Sequence, residues 1–249
     1  MNLQATGVSY AFGSVVALDR VTLSIPHGRC VALVGESGAG KTTLLRLFNR
    51  MVVPTRGEVR VDDTDVSRQP VEDLRRRIGY VPQQGGLMPH WSVQRNVALV
   101  PGLLRQADAA AAAVRALERV GLPPRTFGHR YPHELSGGQR QRVALARAIA
   151  ARQGALLMDE PFGALDAISR SELQTMCATL RRELGVTTLL VTHDLLEADF
   201  LADEMAVMRA GRIEQQGSLD ALIARPETPY VESLVARALA GGRRRRMDA

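Results

Sequence analysis

The sequence predicts an α/β fold, with a parallel β-sheet core, a small antiparallel β subdomain and an inserted α-helical subdomain. Two observations predict the sheets: several short apolar runs end abruptly in polar residues, and the amino-terminal stretch has alternating or β-branched character. A third observation predicts the insertion, because the pattern becomes helical and alanine-rich in the middle of the chain.

The four apolar runs predict buried parallel strands. They are CVALV before GESGAGKT, IGYVP before QQ, ALLM before DE, and TTLLV before THD. In an open parallel sheet, ligands bind beyond the carboxyl ends of the strands. We therefore expect the polar residues after these four runs to converge on one crevice.

The remaining segments complete the predicted organisation. VTLSI and GEVRV predict the small antiparallel sheet, EMAVMRAGRIEQQG predicts a closing hairpin, and residues 218–225 and 230–240 predict helices. We expect a single domain over residues 1–240, in which residues 1–84 and 153–240 form the core and residues 85–152 form the helical subdomain. Residues 241–249, with arginines at positions 243–246, predict a basic flexible tail.

Composition narrows the class of protein. The chain has 249 residues and is 45% hydrophobic, which is enough for one substantial core. Its longest apolar runs, such as residues 97–99 and 109–114, are far shorter than the roughly 20 residues that span a bilayer. The start lacks the basic and apolar regions of a secretion signal, so we expect a soluble cytoplasmic chain. There are two cysteines, Cys30 and Cys177, and the apolar stretch CVALV around Cys30 predicts a buried thiol there and not a disulfide framework.

The charge balance indicates an anionic partner. The formal net charge is +6, which fits a nucleotide, a nucleic acid or a membrane surface. Lys41 is the single lysine, and every other residue among the 32 basic ones is an arginine. A lysine kept within a glycine-rich loop indicates a site that needs a compact ammonium group.

The segment GESGAGKT, residues 35–42, matches the pattern of a phosphate-binding loop. It lies between a predicted buried strand and an amphipathic helical segment, residues 43–51. Glycines let backbone N–H groups approach phosphate oxygens, and the helix start adds positive potential. Lys41 is expected to reach the outer phosphates, and Thr42 to offer its hydroxyl to Mg²⁺. The predicted ATP-binding residues of this loop are Gly35, Glu36, Ser37, Gly38, Ala39, Gly40, Lys41, Thr42 and Thr43.

The segment ALLMDE places two carboxylates at the end of a predicted strand. Asp159 is suited to hold Mg²⁺ through its hydration shell, which leaves Glu160 to act on water as a general base. An acidic turn after an apolar run is common in proteins. This segment therefore indicates a metal site only in combination with the phosphate loop and the other motifs.

The segment LSGGQ, residues 135–139, precedes the helical sequence RQRVALARAIAA. Ser136 is predicted to cap this helix, and the two glycines leave backbone amides exposed at the helix start. The pattern predicts a second anion site. The arginines within the helix, at positions 140, 142, 147 and 152, predict only a solvated face.

In this order, GESGAGKT, LSGGQ and MDEPFGALD resemble the signature of the ATP-binding cassette (ABC) ATPases, over nearly all of residues 3–240. The resemblance implies a P-loop NTPase (RecA-like) fold and ATP hydrolysis with Mg²⁺. It also implies a head-to-tail homodimer in which Ser136, Gly137, Gly138 and Gln139 bind the γ-phosphate of ATP held by the partner's phosphate loop.

The resemblance extends to further positions. Gln83 resembles the glutamine that contacts Mg²⁺ and the attacking water beside the membrane permease. Asp166 resembles an aspartate that crosses the dimer interface, and His193 resembles the histidine that contacts the γ-phosphate. The resemblance therefore implies Glu160, His193, Gln83 and Lys41 as catalytic residues, and Thr42, Gln83 and Asp159 as metal ligands.

An aromatic residue near the start is implied to stack on adenine. Within SYAFGSVVALDRVTLSI the resemblance favours Phe12, while Tyr10 is an alternative. The alternative interpretation is that neither ring binds adenine and that both pack against the small antiparallel sheet.

The segments QQGGLMPHWSVQRNVALVPGLL and YPHELSGGQRQR most resemble the ATPases of importers for osmoprotectants such as glycine betaine, choline or carnitine. The resemblance implies a peripheral subunit on the inner face of the cell membrane, with permease subunits and, indirectly, a substrate-binding protein as partners. The alternatives are an importer ATPase for amino acids or methionine, an exporter half, and a soluble ABC protein acting on nucleic acid, although we expect no nucleic-acid partner.

Overall fold

The computed structural model describes the backbone of residues 1–247 and the side chains of residues 1–240. The chain divides into two compact units. The first unit comprises Met1–Gln69 and Thr187–Ala249, and the second comprises Pro70–Val186. The predicted boundary between core and helical subdomain, near residues 84 and 153, stays a prediction.

The strands and helices follow in chain order. The strands are β1 Leu3–Phe12, β2 Val15–Ile25, β3 Cys30–Val34, β4 Arg56–Val61, β5 Thr64–Asp65, β6 Ile78–Val81, β7 Ala155–Asp159, β8 Thr187–Val191, β9 Glu204–Arg209 and β10 Arg212–Gly217. The helices are α1 Lys41–Phe48, α2 Val71–Arg77, α3 Val93–Val97, α4 Leu99–Leu103, α5 Ala109–Arg119, α6 Pro124–Phe127, α7 Gly137–Ile149, α8 Ala167–Leu184, α9 Leu195–Leu201, α10 Leu219–Ala224 and α11 Pro229–Met247. Short 3₁₀ turns cover Val66–Arg68 and Pro132–Glu134.

The first unit contains the predicted small antiparallel sheet. Its strands lie in the order β2-β1-β4-β5. Along β1, Leu3 and Ala5 are buried while Gln4 and Thr6 are exposed. This alternation follows from the period of two of a strand, which sends successive side chains to opposite faces of the sheet.

The parallel strands of the first unit are β3, β8 and β9. Strand β3 pairs with β8 on one side, where Leu33 lies opposite Val191, and with β9 on the other, where Leu33 lies opposite Ala206. Every residue of β3 and β8 is buried, as the continuous apolar runs CVALV and TTLLV predicted. Because neighbouring parallel strands end at the same edge, the loops that follow β3 and β8 lie side by side.

The second unit contains the other predicted parallel pair, β6 and β7, with Gly79 opposite Leu156 and Val81 opposite Met158. Helix α7 packs closely on β6. A Cβ atom at Gly79 would lie 2.3 Å from the carbonyl oxygen of Ala148, so this helix crosses at a point where only a glycine fits.

The predicted inserted helices also belong to the second unit. Helices α3, α5 and α7 pack on one another. The alanine-rich segment forms α5, whose buried residues are Ala112, Ala113, Ala116 and Leu117. The small side chains of α5 let these helices approach closely. The segment between Gln83 and Leu135 contains α3, α4, α5 and α6, which confirms the predicted helical insertion.

The carboxy-terminal part of the chain returns to the first unit. The antiparallel hairpin of β9 and β10 confirms the predicted closing hairpin, and α10 and α11 confirm the two predicted helices. The backbone of α11 continues to Met247, through residues that the sequence predicted as a flexible tail. The side chains of this tail lie outside the described residues.

Two predictions from composition can be compared with the structure. Cys30 is a buried thiol, as expected, and Cys177 is buried as well. Among the described residues, every helix is too short or too polar to cross a bilayer.

Candidate functional site

The loop between β3 and α1 is the predicted phosphate loop, residues 35–42. Two of its glycines are required by close backbone approaches. A Cβ atom at Gly35 would lie 2.2 Å from the carbonyl oxygen of Met208, and one at Gly40 would lie 2.3 Å from that of Ala17. Their φ angles of +146° and +96° are also unfavourable for other residues. The backbone of this turn therefore requires glycine at the first and sixth positions of GESGAGKT.

Lys41 is held inside this loop. Its side chain is only 5% exposed, and Nζ donates hydrogen bonds to the carbonyl oxygens of Gly35 at 2.7 Å and Glu36 at 2.8 Å. The residues Glu36, Ser37 and Gly38 of the loop are exposed. The ammonium group thus lies beneath an exposed part of the loop, the arrangement that brings charge and N–H donors to an anion.

The rest of the predicted loop continues into α1. Gly40 is the N-cap of this helix, Ala39 is buried, and Thr42 and Thr43 are half-buried in its first turn. The N–H of Gly211 donates a 3.1 Å hydrogen bond to the carbonyl oxygen of Ala39. This bond anchors the loop to the turn between β9 and β10.

The two candidate aromatic residues lie at the end of β1. The Phe12 side chain is 56% exposed, and its ring meets Tyr10 edge-on, with centroids 4.8 Å apart. Phe12 pairs with Val15 on β2, the strand whose Ala17 carbonyl adjoins Gly40. The hairpin therefore borders the phosphate loop, and Phe12 offers an exposed ring there while Tyr10 is half-buried.

His193 follows β8, at the sheet edge where the phosphate loop follows β3. The turn around it is held on both sides. The Thr192 N–H donates to the carbonyl oxygen of Leu33 at 3.1 Å, and the Asp194 carboxylate accepts N–H groups of Leu196 and Glu197 at the start of α9. The His193 side chain is exposed at this edge.

In the second unit, Gln83, Asp159 and Glu160 lie at the carboxyl ends of β6 and β7. Asp159 is buried, with 4% exposure, while Glu160 is half-buried. The Gln83 amide Nε2 donates a hydrogen bond to Glu160 Oε2 at 3.2 Å. Because Val81 and Met158 are paired, the residues just after them are neighbours. The two strand ends thus bring an amide and two carboxylates together.

The backbone of Glu160 is strained. Its φ angle is +44°, in the left-handed region that residues other than glycine rarely occupy. Strain of this kind is often found at functional sites. The carbonyl oxygen of Glu160 accepts the N–H of Gly163 at 3.3 Å, which closes the turn after β7.

LSGGQ forms the start of α7, as predicted. The Ser136 Oγ accepts the N–H of Gln139 at 3.2 Å, and the Gln139 Oε1 accepts the N–H of Ser136 at 3.0 Å. This reciprocal pair is a capping box, and it satisfies two backbone donors at the helix start. The predicted N-cap role of Ser136 is confirmed.

Asp166 caps the neighbouring helix α8. Its Oδ1 accepts the N–H of Ser169 at 3.0 Å, and this bond holds the pKa of the Asp166 carboxyl below its usual range. A Cβ atom at Gly138 would lie 3.2 Å from the Cβ of Ser169. The starts of α7 and α8 are therefore in contact, which brings the LSGGQ segment beside Asp166.

A cavity of about 310 Å³ joins several of these features within the second unit. The residues that line it come from the loop after β6, the start of α7 and the turn after β7. They are Gln83, Gln84, Gly137, Arg140, Gln141, Pro161, Ala164 and Leu165. Gln83 and the LSGGQ segment therefore border one cleft.

Sequence reasoning missed the role of Arg147 in α7, which it interpreted as part of a solvated face. Arg147 donates hydrogen bonds to the carbonyl oxygens of Gly86 at 2.7 Å and Gly85 at 2.9 Å, and burial lowers the pKa of its guanidinium. Arg140 is exposed, as predicted, and donates to the carbonyl oxygen of Leu135 at 2.6 Å. The glycine pair at positions 85 and 86 could have indicated the role of Arg147 in the sequence. Such a pair predicts a loop, and the carbonyl oxygens of a loop need hydrogen-bond donors.

The predicted site residues therefore form two groups. Phe12, the phosphate loop and His193 belong to the first unit. Gln83, Asp159, Glu160, the LSGGQ segment and Asp166 belong to the second.

A family model described as ABC transporter matches residues 18–163, more than half of the chain. The chain belongs to the ABC transporter family. This membership accounts for the order of the phosphate loop, LSGGQ and the two carboxylates along the chain, and for the P-loop NTPase architecture of sheets and helices.

Curated relatives cover most of the chain. It is 44% identical to the carnitine transport ATP-binding protein OpuCA of Listeria monocytogenes, over 90% of this chain and 57% of that protein. It is also 44% identical to the sulfate/thiosulfate import ATP-binding protein CysA of Thermosynechococcus vestitus, over 94% of this chain and 69% of that protein. Other relatives are named for glycine betaine, choline and osmoprotectant transport. The chain thus spans less than two thirds of the length of OpuCA.

A solved structure has a similar fold. It is a dimer of the ATP-binding cassette MJ0796 in a post-hydrolysis state bound to ADP and Pi. The TM-score is 0.78 at 32% sequence identity, over 87% of this chain and 98% of that chain. The predicted α/β cassette fold is confirmed.

Proposed function

We propose that this chain binds and hydrolyses ATP with Mg²⁺ and that the hydrolysis drives solute import through a membrane permease. The single observation that carries the proposal is the loop between β3 and α1. There, glycine backbone and the buried ammonium of Lys41 surround a place for an anion at a helix start.

In this proposal, residues 35–43 bind the phosphates of ATP. The backbone N–H groups of Ser37 and Gly38 donate to phosphate oxygens, and Lys41 neutralises charge on the outer phosphates. Phe12 stacks on the adenine, because its exposed ring is free to accept a flat partner beside the loop.

Glu160 is the proposed general base. Its carboxylate is half-buried and is bonded to Gln83, so it is held in one orientation for the proton of an attacking water. Gln83 and His193 are the proposed partners of that water and of the γ-phosphate. The two residues lie at the carboxyl ends of β6 and β8, where ligands of parallel sheets bind.

The oxygen donors of the site fit Mg²⁺, which prefers hard oxygen ligands. We assign the metal to the Thr42 hydroxyl, the Gln83 amide oxygen and the Asp159 carboxylate. Since Gln83 uses its NH₂ group toward Glu160, its carbonyl oxygen is left to accept or coordinate. When bound, the ion supplies positive charge that stabilises phosphoryl transfer.

We further propose a head-to-tail homodimer. In it, Ser136, Gly137, Gly138 and Gln139 of one protomer bind the γ-phosphate of ATP on the other protomer's phosphate loop, and Asp166 lies at the interface. The exposed, well-capped start of α7 supports this role, because a helix start favours negative charge. The likeness to a dimer bound to ADP and Pi supports it as well.

The proposed partners are integral membrane permease subunits, which would hold this chain at the inner face of the cell membrane, and indirectly a substrate-binding protein. The proposed solute is an osmoprotectant such as carnitine, choline or glycine betaine, as in the names of several relatives. The identity to the sulfate/thiosulfate import protein is also 44%, so sulfate or thiosulfate is a second candidate solute. Similarity of the ATPase does not separate the two candidates, because this subunit does not select the solute.

The test of ATP hydrolysis is phosphate release by the purified chain with ATP, in Mg²⁺ and in EDTA, for wild type and Lys41→Ala. We expect Mg²⁺-dependent turnover that the variant lacks. Equal turnover by both proteins would contradict the proposed site. Co-purification with a membrane permease, compared with retention on DNA, separates the transport proposal from the nucleic-acid alternative.

A further inference from the structure

The start of helix α11 lies against the phosphate loop. Tyr230, the second residue of this helix, is only 8% exposed, and its hydroxyl oxygen accepts the backbone N–H of Glu36 at 3.2 Å. The Arg209 guanidinium lies over the Tyr230 ring, 4.8 Å from the ring centroid. The tyrosine is therefore held by contacts on its face while its hydroxyl reaches the loop.

The hydrogen bond of Tyr230 involves the same peptide group that binds Lys41. The peptide between Gly35 and Glu36 receives Lys41 Nζ on its carbonyl oxygen at 2.7 Å and donates its N–H to Tyr230. A trans peptide is planar, and its C=O and N–H point in opposite directions. Fixing the N–H therefore fixes the direction of the carbonyl, and with it the place where the ammonium group rests.

This peptide needs an anchor. Gly35 has a φ angle of +146° and no side chain to restrict rotation, and the next residues are exposed. Gly35 itself is buried against the carbonyl oxygen of Met208, so this peptide needs a partner on its Glu36 side, where the chain becomes exposed. Tyr230 supplies that partner from an element that is distant in sequence.

We propose that Tyr230 is a positioning residue for ATP binding. Its hydroxyl orients the Gly35–Glu36 peptide, so the loop and the Lys41 ammonium need little rearrangement when phosphates bind. The inference rests on the proposed assignment of residues 35–42 as the phosphate loop. It adds a residue of the carboxy-terminal helix to the nucleotide site.

A second contact between α11 and the loop provides a matched control. Arg237 lies two helical turns after Tyr230, on the same face, and its guanidinium is 3.7 Å from the Glu36 carboxylate. Both side chains are largely exposed, at 67% and 62%. Exposed pairs of this kind contribute little, so this contact should not position the loop.

The test is the Tyr230→Phe variant, which removes the hydroxyl and keeps the ring beneath Arg209. Loss of one hydrogen bond predicts a KM for ATP that is about 3- to 10-fold higher. We expect kcat to stay within about twofold, since the groups that act on water are not touched. Arg237→Ala should change KM by less than about twofold.

Three measurements make the result decisive: KM and kcat from phosphate release, the Kd of ATP by calorimetry, and the melting temperature. An unchanged KM, with or without a lower melting temperature, overturns the inference, as does an equal rise in KM for Arg237→Ala. Lys41→Ala separates the two proposals. If it loses ATP affinity while Tyr230→Phe does not, only the role of Tyr230 is wrong. If Lys41→Ala binds ATP like wild type, the phosphate-loop assignment fails and this inference fails with it.

Discussion

The amide of Gln83 donates a hydrogen bond to the carboxylate of Glu160, with 3.2 Å between Nε2 and Oε2. This bond links the loop after β6 to the end of β7. The same loop is held from α7, because Arg147 binds the carbonyl oxygens of Gly85 and Gly86. Arg147 therefore holds the loop whose Gln83 bonds to the proposed general base.

Replacing Glu160 with glutamine should remove hydrolysis and preserve ATP binding. The variant keeps the shape of the side chain and loses its basicity, which typically costs about 10² to 10⁴ in rate. Unhydrolysed ATP should then hold two chains together through Lys41 of one and Ser136 of the other. We expect a dimer by size-exclusion chromatography only when ATP is present, and weak, transient dimers for wild type.

Two outcomes would contradict parts of this prediction. Normal turnover by Glu160→Gln would show that Glu160 is not the base. A monomer at saturating ATP, even with the permease supplied, would show that the LSGGQ segment does not complete the partner's site.

Arg147→Met should destabilise the fold by about 1 to 3 kcal/mol, because two carbonyls lose a charged donor. The loop that carries Gln83 should also loosen, so kcat should fall more than KM rises. Denaturant unfolding and steady-state kinetics measure the two effects. Arg119→Met is the control, since this exposed arginine of α5 should cost less than about 0.5 kcal/mol. Equal losses in the two variants would refute the positioning role.

Lys41→Arg should not restore hydrolysis, even though it keeps the charge. Nζ lies between two carbonyls in a nearly closed space, and a longer, planar guanidinium does not fit the same contacts. We expect turnover about 10²-fold below wild type, measured as phosphate release with Mg²⁺ and ATP. Wild-type turnover would rule out the requirement for a compact ammonium group.

Substitutions at Ser136 should separate helix capping from nucleotide binding. Ser136→Ala removes the cap and should cost about 0.5 to 2 kcal/mol of stability. Ser136→Asp keeps a capping oxygen but places negative charge where a γ-phosphate is proposed to bind. In the Glu160→Gln background, Ser136→Asp should therefore retain the melting temperature and lose the ATP-dependent dimer. A dimer that survives would argue against phosphate binding at this helix start.

Deleting this subunit from its host should abolish uptake of a small quaternary ammonium solute. The measurement is uptake of radiolabelled glycine betaine, choline and carnitine, with sulfate, methionine and other amino acids in parallel. Restoring the wild-type gene should restore uptake, and the Glu160→Gln gene should not. Unchanged uptake of all three quaternary amines, with a fall for another solute, would reassign the transporter.

Much of the site could be predicted from the sequence because its parts are local. The phosphate loop, the Ser136 cap and the carboxylates after β7 each depend on residues within a few positions of one another. Short-range rules of backbone geometry, capping and strand burial are sufficient there. The four apolar runs likewise predicted four strands that are fully or mostly buried.

Long-range contacts could not be predicted in this way. The sequence by itself determined the cassette fold, the family and the residues that carry the proposed chemistry. Only the tertiary structure decided that Arg147 holds the loop of Gln83, that Gln83 bonds to Glu160, and that Tyr230 meets the peptide beneath which Lys41 rests. Each of these contacts joins residues about 60 to 190 positions apart. A hydrogen bond forms only when the donor–acceptor distance is correct to within a few tenths of an ångström. For residues far apart in the sequence, that distance is set by how whole helices and strands pack.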